Sequence, residues 1–418
     1  MKLKLTERLV YIIAILNIIV LYFRLGICEQ PDTESYMQAW EQSLLQGNLD
    51  LLRTPVYPIF LGICKLIAGE YFGCMCVTLQ NIIFLVSIYY FKKMISMVVS
   101  SENIALCLML CYAIFPVTSG WGNILLTESL AVTGIVFFTY HILTYIKYRN
   151  VSSIFWSAGL LLFLILLRPV FVYLIPVSLL LWLLLIKEHY TKASWGCTAV
   201  ILVGMCELGY CYQFKKQFGL FATSSVSVIN MSYLGFQDGL MYPEFTDNPE
   251  YKAYISEHNG TYDPWPICLD AIDKFGYLEV NHSVKESMNA QPQEWADNAL
   301  KRFVTVSKAR YNISYVVSNP ISSIFRFSFM TLFIFLLIYT IYISYYGFRH
   351  SRTPLIPIML WMIIAGCVVT SVVGAQSDWG RLTAPSFSIF LCMIGQTISL
   401  INKLYRENTK KQLDQHSS

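Results

Sequence analysis

Apolar and polar residues fall along this chain in long blocks. Greasy runs are separated by short polar connections. A helix needs about 20 apolar residues, with a range of about 17–25, to cross a bilayer. The runs that suit this are Leu9–Phe23 with its flanks, Phe72–Phe91, Asn103–Thr118, Glu128–Ile146, Val151–Leu167, Val170–Ile186, Ser194–Tyr212, Ile324–Gly347, Pro354–Val373 and Leu382–Ile401. They predict an all-α polytopic membrane protein of about ten transmembrane helices. Leu9–Phe23 follows Lys2, Lys4 and Arg8 as a signal peptide would. No small-x-small cleavage site comes after it, so it is expected to be a retained span. Pro55–Gly69 differs from the other apolar runs: it is short and carries two prolines and Lys65. It is expected to form a juxtamembrane helix along the membrane surface.

Short basic loops stay in the cytoplasm. If Pro55–Gly69 does not span and the N-terminus is inside, one face receives Lys92-Lys93, Lys147/Arg149, Lys187/Lys192, Arg349/Arg352 and the tail Lys403/Arg406/Lys410/Lys411. If it spans, all of these clusters turn outward. The expected topology therefore has both termini cytoplasmic. It divides the chain into an N-terminal membrane module (1–212, with a first outer loop 24–54 and the juxtamembrane helix 55–69), an extracytoplasmic region (213–323) and C-terminal membrane helices with a cytoplasmic tail (324–418). The first half of the outer region is rich in Tyr, Asp, Pro and Asn and reads as irregular. From about Ser283 to Ser318, helical spacing returns. The sequons at Asn230, Asn259, Asn281 and Asn312 read as chance occurrences. No internal repeat of the transporter kind is visible.

Composition supports the span pattern. The chain has 418 residues, of which 56% are hydrophobic and only 13% charged, against roughly 25% charged in soluble proteins. This excludes a soluble domain on a single anchor. The net charge of +4 comes from short clusters between apolar runs, which excludes a nucleic-acid-binding face. The twelve Cys are scattered, and Cys74-x-Cys76 has neither zinc-finger nor redox spacing. They read as small buried apolar residues.

Several charges stand at or inside span edges, all on the outer side of this topology. They are Asp32 and Glu34 in the first loop, Arg53 before the surface helix, Glu128, Arg168 within an apolar run, and Asp378 and Arg381 in the last outer loop. A charge at a helix centre costs roughly 2.5–3.5 kcal/mol on insertion scales. Each residue taken alone can simply mark a span end. Two acids (Asp32, Glu128) and three arginines (Arg53, Arg168, Arg381) from separate segments of one face suit a phosphorylated lipid substrate better. Guanidinium forks hold phosphate oxygens and stabilise charge on a phosphate leaving group. A partly desolvated carboxylate can serve as general base on an acceptor hydroxyl or amine. Pro55 and Pro58 fix the backbone beside Arg53. Tyr36 and Tyr57 are candidates to line the cavity; with 28 Tyr in the chain, an interfacial aromatic belt is the competing reading.

These residues resemble, in order, motifs of bacterial GT-C-fold glycosyltransferases. The motifs are Pro31-Asp32-Thr33-Glu34-Ser35-Tyr36, Arg53-Thr54-Pro55-Val56-Tyr57-Pro58, Thr127-Glu128-Ser129-Leu130, Leu167-Arg168-Pro169 and Gly380-Arg381-Leu382. The similarity is greatest to the protein-mannosyltransferase-like and aminoarabinose-transferase-like branch, glycosyltransferase family 39. Val56 stands where Gly is common, and Gly380-Arg381-Leu382 is a reduced form of Gly-Arg-Tyr-Arg. The resemblance implies a GT-C-like bundle with juxtamembrane helices and one large outer loop in a bacterial cytoplasmic membrane. It implies transfer of a sugar from a polyprenyl-phosphate donor to a glycan, lipid or protein acceptor on the outer face. Asp32 is then similar to the catalytic acid, Glu128 to a second acidic position and Arg53 to a contact for the lipid phosphate. Arg168 and Arg381 are similar to cavity-side arginines, and Asp378 joins the substrate-binding set with Tyr36 and Tyr57. No cofactor or obligatory metal is expected, although two carboxylates beside a phosphate can hold a divalent cation. A glycan polymerase or ligase, and a flippase or transporter, are the alternatives.

Overall fold

The computed structural model describes residues 4–186, 190–262, 264–310, 334, 336–345, 355–374 and 382–416. Asp378, Arg381 and most of the expected span Ile324–Gly347 lie outside the described residues. Every named element is a helix. The chain runs through α1 (Leu5–Leu25), α2 (Pro31–Gln38), α3 (Val56–Ala68), α4 (Phe72–Val98), α5 (Glu102–Ile114), α6 (Pro116–Ser119), α7 (Glu128–Tyr148) and α8 (Ser152–Leu167). It continues with α9 (Leu174–Ile186), α10 (Tyr190–Phe218), α11 (Val226–Asp238), α12 (Pro249–His258), α13 (Trp265–Phe275), α14 (Tyr277–Ala290) and α15 (Pro292–Arg310). Helices Leu355–Gly374 and Phe387–His416 follow. By length and composition, six described helices can cross a membrane, or seven if one bent pair counts as a span. This is an all-helical, multi-pass membrane architecture.

Two of the apolar runs depart from straight rods, for identifiable reasons. The expected span Asn103–Thr118 bends by 49° between Glu102–Ile114 and Pro116–Asn123. Pro116 brings no N–H to continue the helix and disfavours helical backbone at Phe115. The continuous apolar stretch Val56–Val98 breaks at Gly69, whose φ of 56° ends α3. Tyr57 Oη donates to Gln80 Oε1 at 3.0 Å, whereas a straight helix would hold those residues about 35 Å apart. α3 therefore folds back on α4. It has 13 residues, about 20 Å of helix, which is too short to cross about 30 Å of hydrocarbon. One face buries Tyr57, Pro58, Leu61, Gly62 and Cys64, while Ile59, Ile63, Leu66 and Ile67 are exposed.

Contacts sort the helix ends into two sets. At one end Lys92 bridges Glu7 at 3.1 Å and Glu102 at 2.8 Å, and Lys147 Nζ donates to the Met97 carbonyl at 3.4 Å. At the other end Cys28 pairs with Ile124, and Thr54 Oγ1 donates to the Leu167 carbonyl at 3.1 Å. Of the cysteines, Cys74, Cys107 and Cys206 are exposed on apolar helices, contrary to the expectation that all are buried.

α10 has 29 residues, about 43 Å of helix, so it outruns the hydrocarbon thickness. Its last turns leave the bundle core, and Phe214 and Phe218 join a second core built by α11 to α14 with Trp295. The first half of the region 213–323 was expected to be irregular, and its described residues form helices α11 to α13 and the start of α14. Several of its Pro and Asn residues stand at helix starts. Asn248 accepts from the Glu250 and Tyr251 amides at 3.0 and 3.3 Å, with Pro249 in the first turn. Pro266 holds the equivalent place in α13. Such residues favour helix N-termini because a first-turn Pro loses no hydrogen bond and an Asn cap gains one.

Gly62 shows how closely α3 is packed. A Cβ there would stand 2.1 Å from the Trp40 ring, whereas at Gly159 in α8 nothing lies within 4 Å. Gly62→Ala is expected to lower stability by about 1–3 kcal/mol through displacement of Trp40. Gly159→Ala is expected to be neutral or to raise it by up to about 1 kcal/mol. Thermal denaturation of both variants in the same detergent checks this contrast.

Candidate active site

The loop after α1 is held before it contributes chemistry. Pro31 starts α2, and the Thr33 hydroxyl accepts from the Gln30 amide at 3.0 Å while donating to the Leu125 carbonyl at 2.9 Å. That bond docks α2 on the segment leading to Glu128. Asp32 lies in the first turn of α2, where the helix dipole favours a carboxylate. After α2 the chain returns through Asp50, whose Oδ1 accepts from the Leu52 and Arg53 amides at 2.9 and 2.7 Å.

Arg53 is fully engaged. Its Nη2 meets Asp32 Oδ1 at 2.7 Å, its Nε donates to Ser35 Oγ at 2.8 Å, and its Nη1 reaches Tyr36 Oη at 3.4 Å. The guanidinium carbon lies 4.4 Å from the Tyr36 ring centre, within cation–π reach. Tyr36 in turn packs edge-on against Tyr57, with ring centres 5.0 Å apart.

A second acid–arginine pair stands beside this one. Glu128 opens α7, has no exposed surface, and accepts from Arg168 Nη1 at 3.1 Å. Pro169 disfavours helix at Arg168, which is extended at φ −150° and ψ 121°. α8 thus stops at Leu167, and the arginine sits at a helix end instead of mid-run. The two arginines are tied through their sequence neighbours, because Thr54 bonds the Leu167 carbonyl. Tyr36 lies among all four charges. Burial raises its hydroxyl pKa, Arg53 and Arg168 oppose the shift, and Glu128 and Asp32 add to it. The phenol is therefore neutral and available as a donor.

The chain thus brings together Asp32, Arg53, Tyr36, Tyr57, Glu128 and Arg168. Glu34 is exposed and accepts from Gln38 at 3.2 Å, so it stays apart. Asp378 and Arg381 cannot be placed because they lie outside the described residues. The sequence reading missed the polar residues that hold the charged ones. Gln80 bonds Tyr57 and the Gly122 and Ile124 carbonyls, each at 3.0 Å. Asn81 donates to Asn123 Oδ1 at 3.1 Å. An adjacent Gln-Asn pair inside an apolar run was the available signal. Also missed was Glu207, which is buried in α10 and accepts from Thr223 at 2.6 Å. Among the described residues no group of three or more His, Cys, Asp or Glu is arranged to hold a metal ion.

No protein-family model and no curated protein matches this chain.

The two pairs differ in burial, and that difference predicts different costs. In one pair the side chains of Arg53 and Asp32 are 17% and 34% exposed; in the other those of Arg168 and Glu128 are 11% and 0%. Glu128→Ala leaves Arg168 desolvated without this partner and is expected to cost about 3–5 kcal/mol, most of it recovered in the double variant with Arg168→Met. Asp32→Asn is expected to cost about 0–1 kcal/mol. Unfolding midpoints of the three variants check the ordering.

Proposed function

We propose that this protein is an integral membrane glycosyltransferase. It moves a sugar from a polyprenyl-phosphate carrier to an acceptor at the outer face of a bacterial cytoplasmic membrane. The observation that carries this reading is the meeting of the Asp32–Arg53 and Glu128–Arg168 pairs, drawn from four distant segments, around one tyrosine at one end of a helical bundle. The reading takes about ten spans, both termini cytoplasmic and α3 along the outer leaflet, in keeping with the basic residues gathered at the opposite end.

In the proposed reaction an acceptor O–H or N–H attacks the anomeric carbon. The bond from that carbon to the phosphate oxygen breaks, and its electron pair leaves with the polyprenyl phosphate. The acceptor proton passes to the Asp32 carboxylate. Asp32 suits this role better than Glu128 because it is the acid with exposed surface. Arg53 would exchange its bond to Asp32 for phosphate oxygens, releasing the carboxylate as the donor arrives. The Tyr36 phenol would supply a further hydrogen bond to the phosphate. Glu128 holds Arg168 in place, and Arg168 adds positive potential where the leaving group forms. A divalent cation between phosphate and carboxylate is compatible with this scheme.

The test uses purified protein with radiolabelled polyprenyl-phosphate sugars and envelope acceptors. Asp32→Asn is expected to lower transfer by about 10²–10⁴-fold, the range of a lost general base, with the melting point nearly unchanged. Turnover equal to the unmodified protein sinks the assignment. Accumulation of single glycan repeat units in a deletion strain would point to a polymerase or ligase instead.

A further inference from the structure

The segment that delivers Arg53 does not belong to the bundle alone. Just before Arg53, residues 49–52 are bonded to the outer domain. The Leu49 amide donates to Gln217 Oε1 and Gln217 Nε2 donates to the Leu49 carbonyl, both at 3.1 Å. This reciprocal pair mimics a rung of a sheet, with a side-chain amide in place of a second strand. Two residues later the Leu51 carbonyl accepts from both the Ser225 amide at 3.0 Å and the Ser225 hydroxyl at 2.7 Å. Leu49, Leu51 and Leu52 pack against the outer domain's core. Asp50, between them, turns its carboxylate back to the Leu52 and Arg53 amides and takes a bond from Ser43 at 3.1 Å.

We infer that Gln217 and Ser225 are positioning residues for Arg53. Through them the outer domain sets how the guanidinium meets a phosphate. Neither residue touches Arg53 in any bond described above. They fix the backbone at 49 and 51, Asp50 carries that constraint to the Arg53 amide, and the side chain then reaches Asp32, Ser35 and Tyr36. Gln217 lies on the last turn of α10 and Ser225 immediately precedes α11. A shift of the outer domain against the bundle therefore moves residues 49–51 with it. Because linkage is reciprocal, a phosphate held at Arg53 also steadies α11. This inference rests on the proposed role of Arg53 as the phosphate contact, and its first measurement does not depend on that role.

The test compares the double variant Gln217→Ala/Ser225→Ala with Ser225→Thr, which keeps the hydroxyl, and with the unmodified protein, all in lipid nanodiscs. Hydrogen–deuterium exchange without ligand comes first. The Leu52 and Arg53 amides are expected to exchange about five- to tenfold faster in the double variant, the change that follows from losing a hydrogen bond's worth of constraint, and at the unmodified rate in Ser225→Thr. Unchanged exchange at those two amides overturns the inference, whatever reaction the protein performs. Binding of polyprenyl phosphate comes second. Its Kd is expected to rise about five- to tenfold in the double variant and to recover in Ser225→Thr. In turnover, the KM for the donor should rise while that for the acceptor stays constant. A donor-independent fall in kcat would mark a merely structural role and would also overturn the inference. If polyprenyl phosphate fails to bind the unmodified protein, the phosphate-carrier reading fails, and the exchange rates alone decide whether the outer domain positions Arg53.

Discussion

A carboxylate with no exposed surface needs a cation or hydrogen-bond donors beside it to stay charged. Glu128 meets that requirement through Arg168 at 3.1 Å, and much of this end of the molecule is arranged so that the two can meet. α8 has to stop at Leu167, which Pro169 favours. α7 has to begin at Glu128, where the helix dipole favours a carboxylate. The segment before Glu128 is pinned by the Cys28–Ile124 pairing on one side and by Gln80 and Asn81 on the other. Because Thr33 bonds Leu125, the height of the first loop is set by the same segment. The buried pair thus fixes a datum from which the more exposed pair is positioned.

The contrast between the pairs is one of solvent access as much as geometry. Two charges buried together are costly to separate, so Glu128 and Arg168 are suited to remain partnered. Asp32 and Arg53 keep some exposed surface, and where that surface meets water the attraction between them is screened. On the proposed function, an incoming phosphate would compete for Arg53 without leaving a fully buried acid behind. A site built from two buried pairs would be too stable to open, and one built from two exposed pairs would lack a fixed frame.

Much of this arrangement was legible in the sequence, and the illegible parts have a common cause. Asp32, Arg53, Glu128 and Arg168 stood out because charges are rare in apolar surroundings and cost free energy there. The short helix after Arg53 was legible from Pro55, Pro58 and Lys65. Its return onto α4 was not, because the Tyr57–Gln80 bond joins positions whose spacing follows no local period. The outer domain was misread for a related reason. A region rich in Pro and Asn suits coil, but Asn248, Pro249 and Pro266 each lie at a helix start, and the same residue types serve both purposes. Glu207 carries the same signal as those four charges, a charge inside the apolar run Ser194–Tyr212, whereas the clamp at Leu49 and Leu51 leaves no local one, since its partners lie far along the chain.

The first loop shows what these long-range bonds achieve together. A polar segment of this length, with only short helices of its own, would lose considerable conformational entropy on ordering, about 1–2 kcal/mol per residue for the backbone. Its own bonds, such as those of Arg53 to Asp32 and Ser35 and of Asp50 to Ser43, tie parts of the loop to one another and not to the bundle. The order comes from anchors spread along it: Thr33 on Leu125, Trp40 against Gly62, Leu49 and Leu51 on the outer domain, and Thr54 on Leu167. Electrostatic stabilisation of a leaving group works when the donors are already in place and need no rearrangement as charge develops. The first loop is fastened to the bundle at Thr33, Trp40 and Thr54 and to a separate domain at Leu49 and Leu51, just before Arg53, so the backbone that carries the guanidinium is held in place. If the proposed function holds, the helical domain α11–α14 is part of the frame of the phosphate site, and its packing against the first loop bears on chemistry that its own residues do not touch.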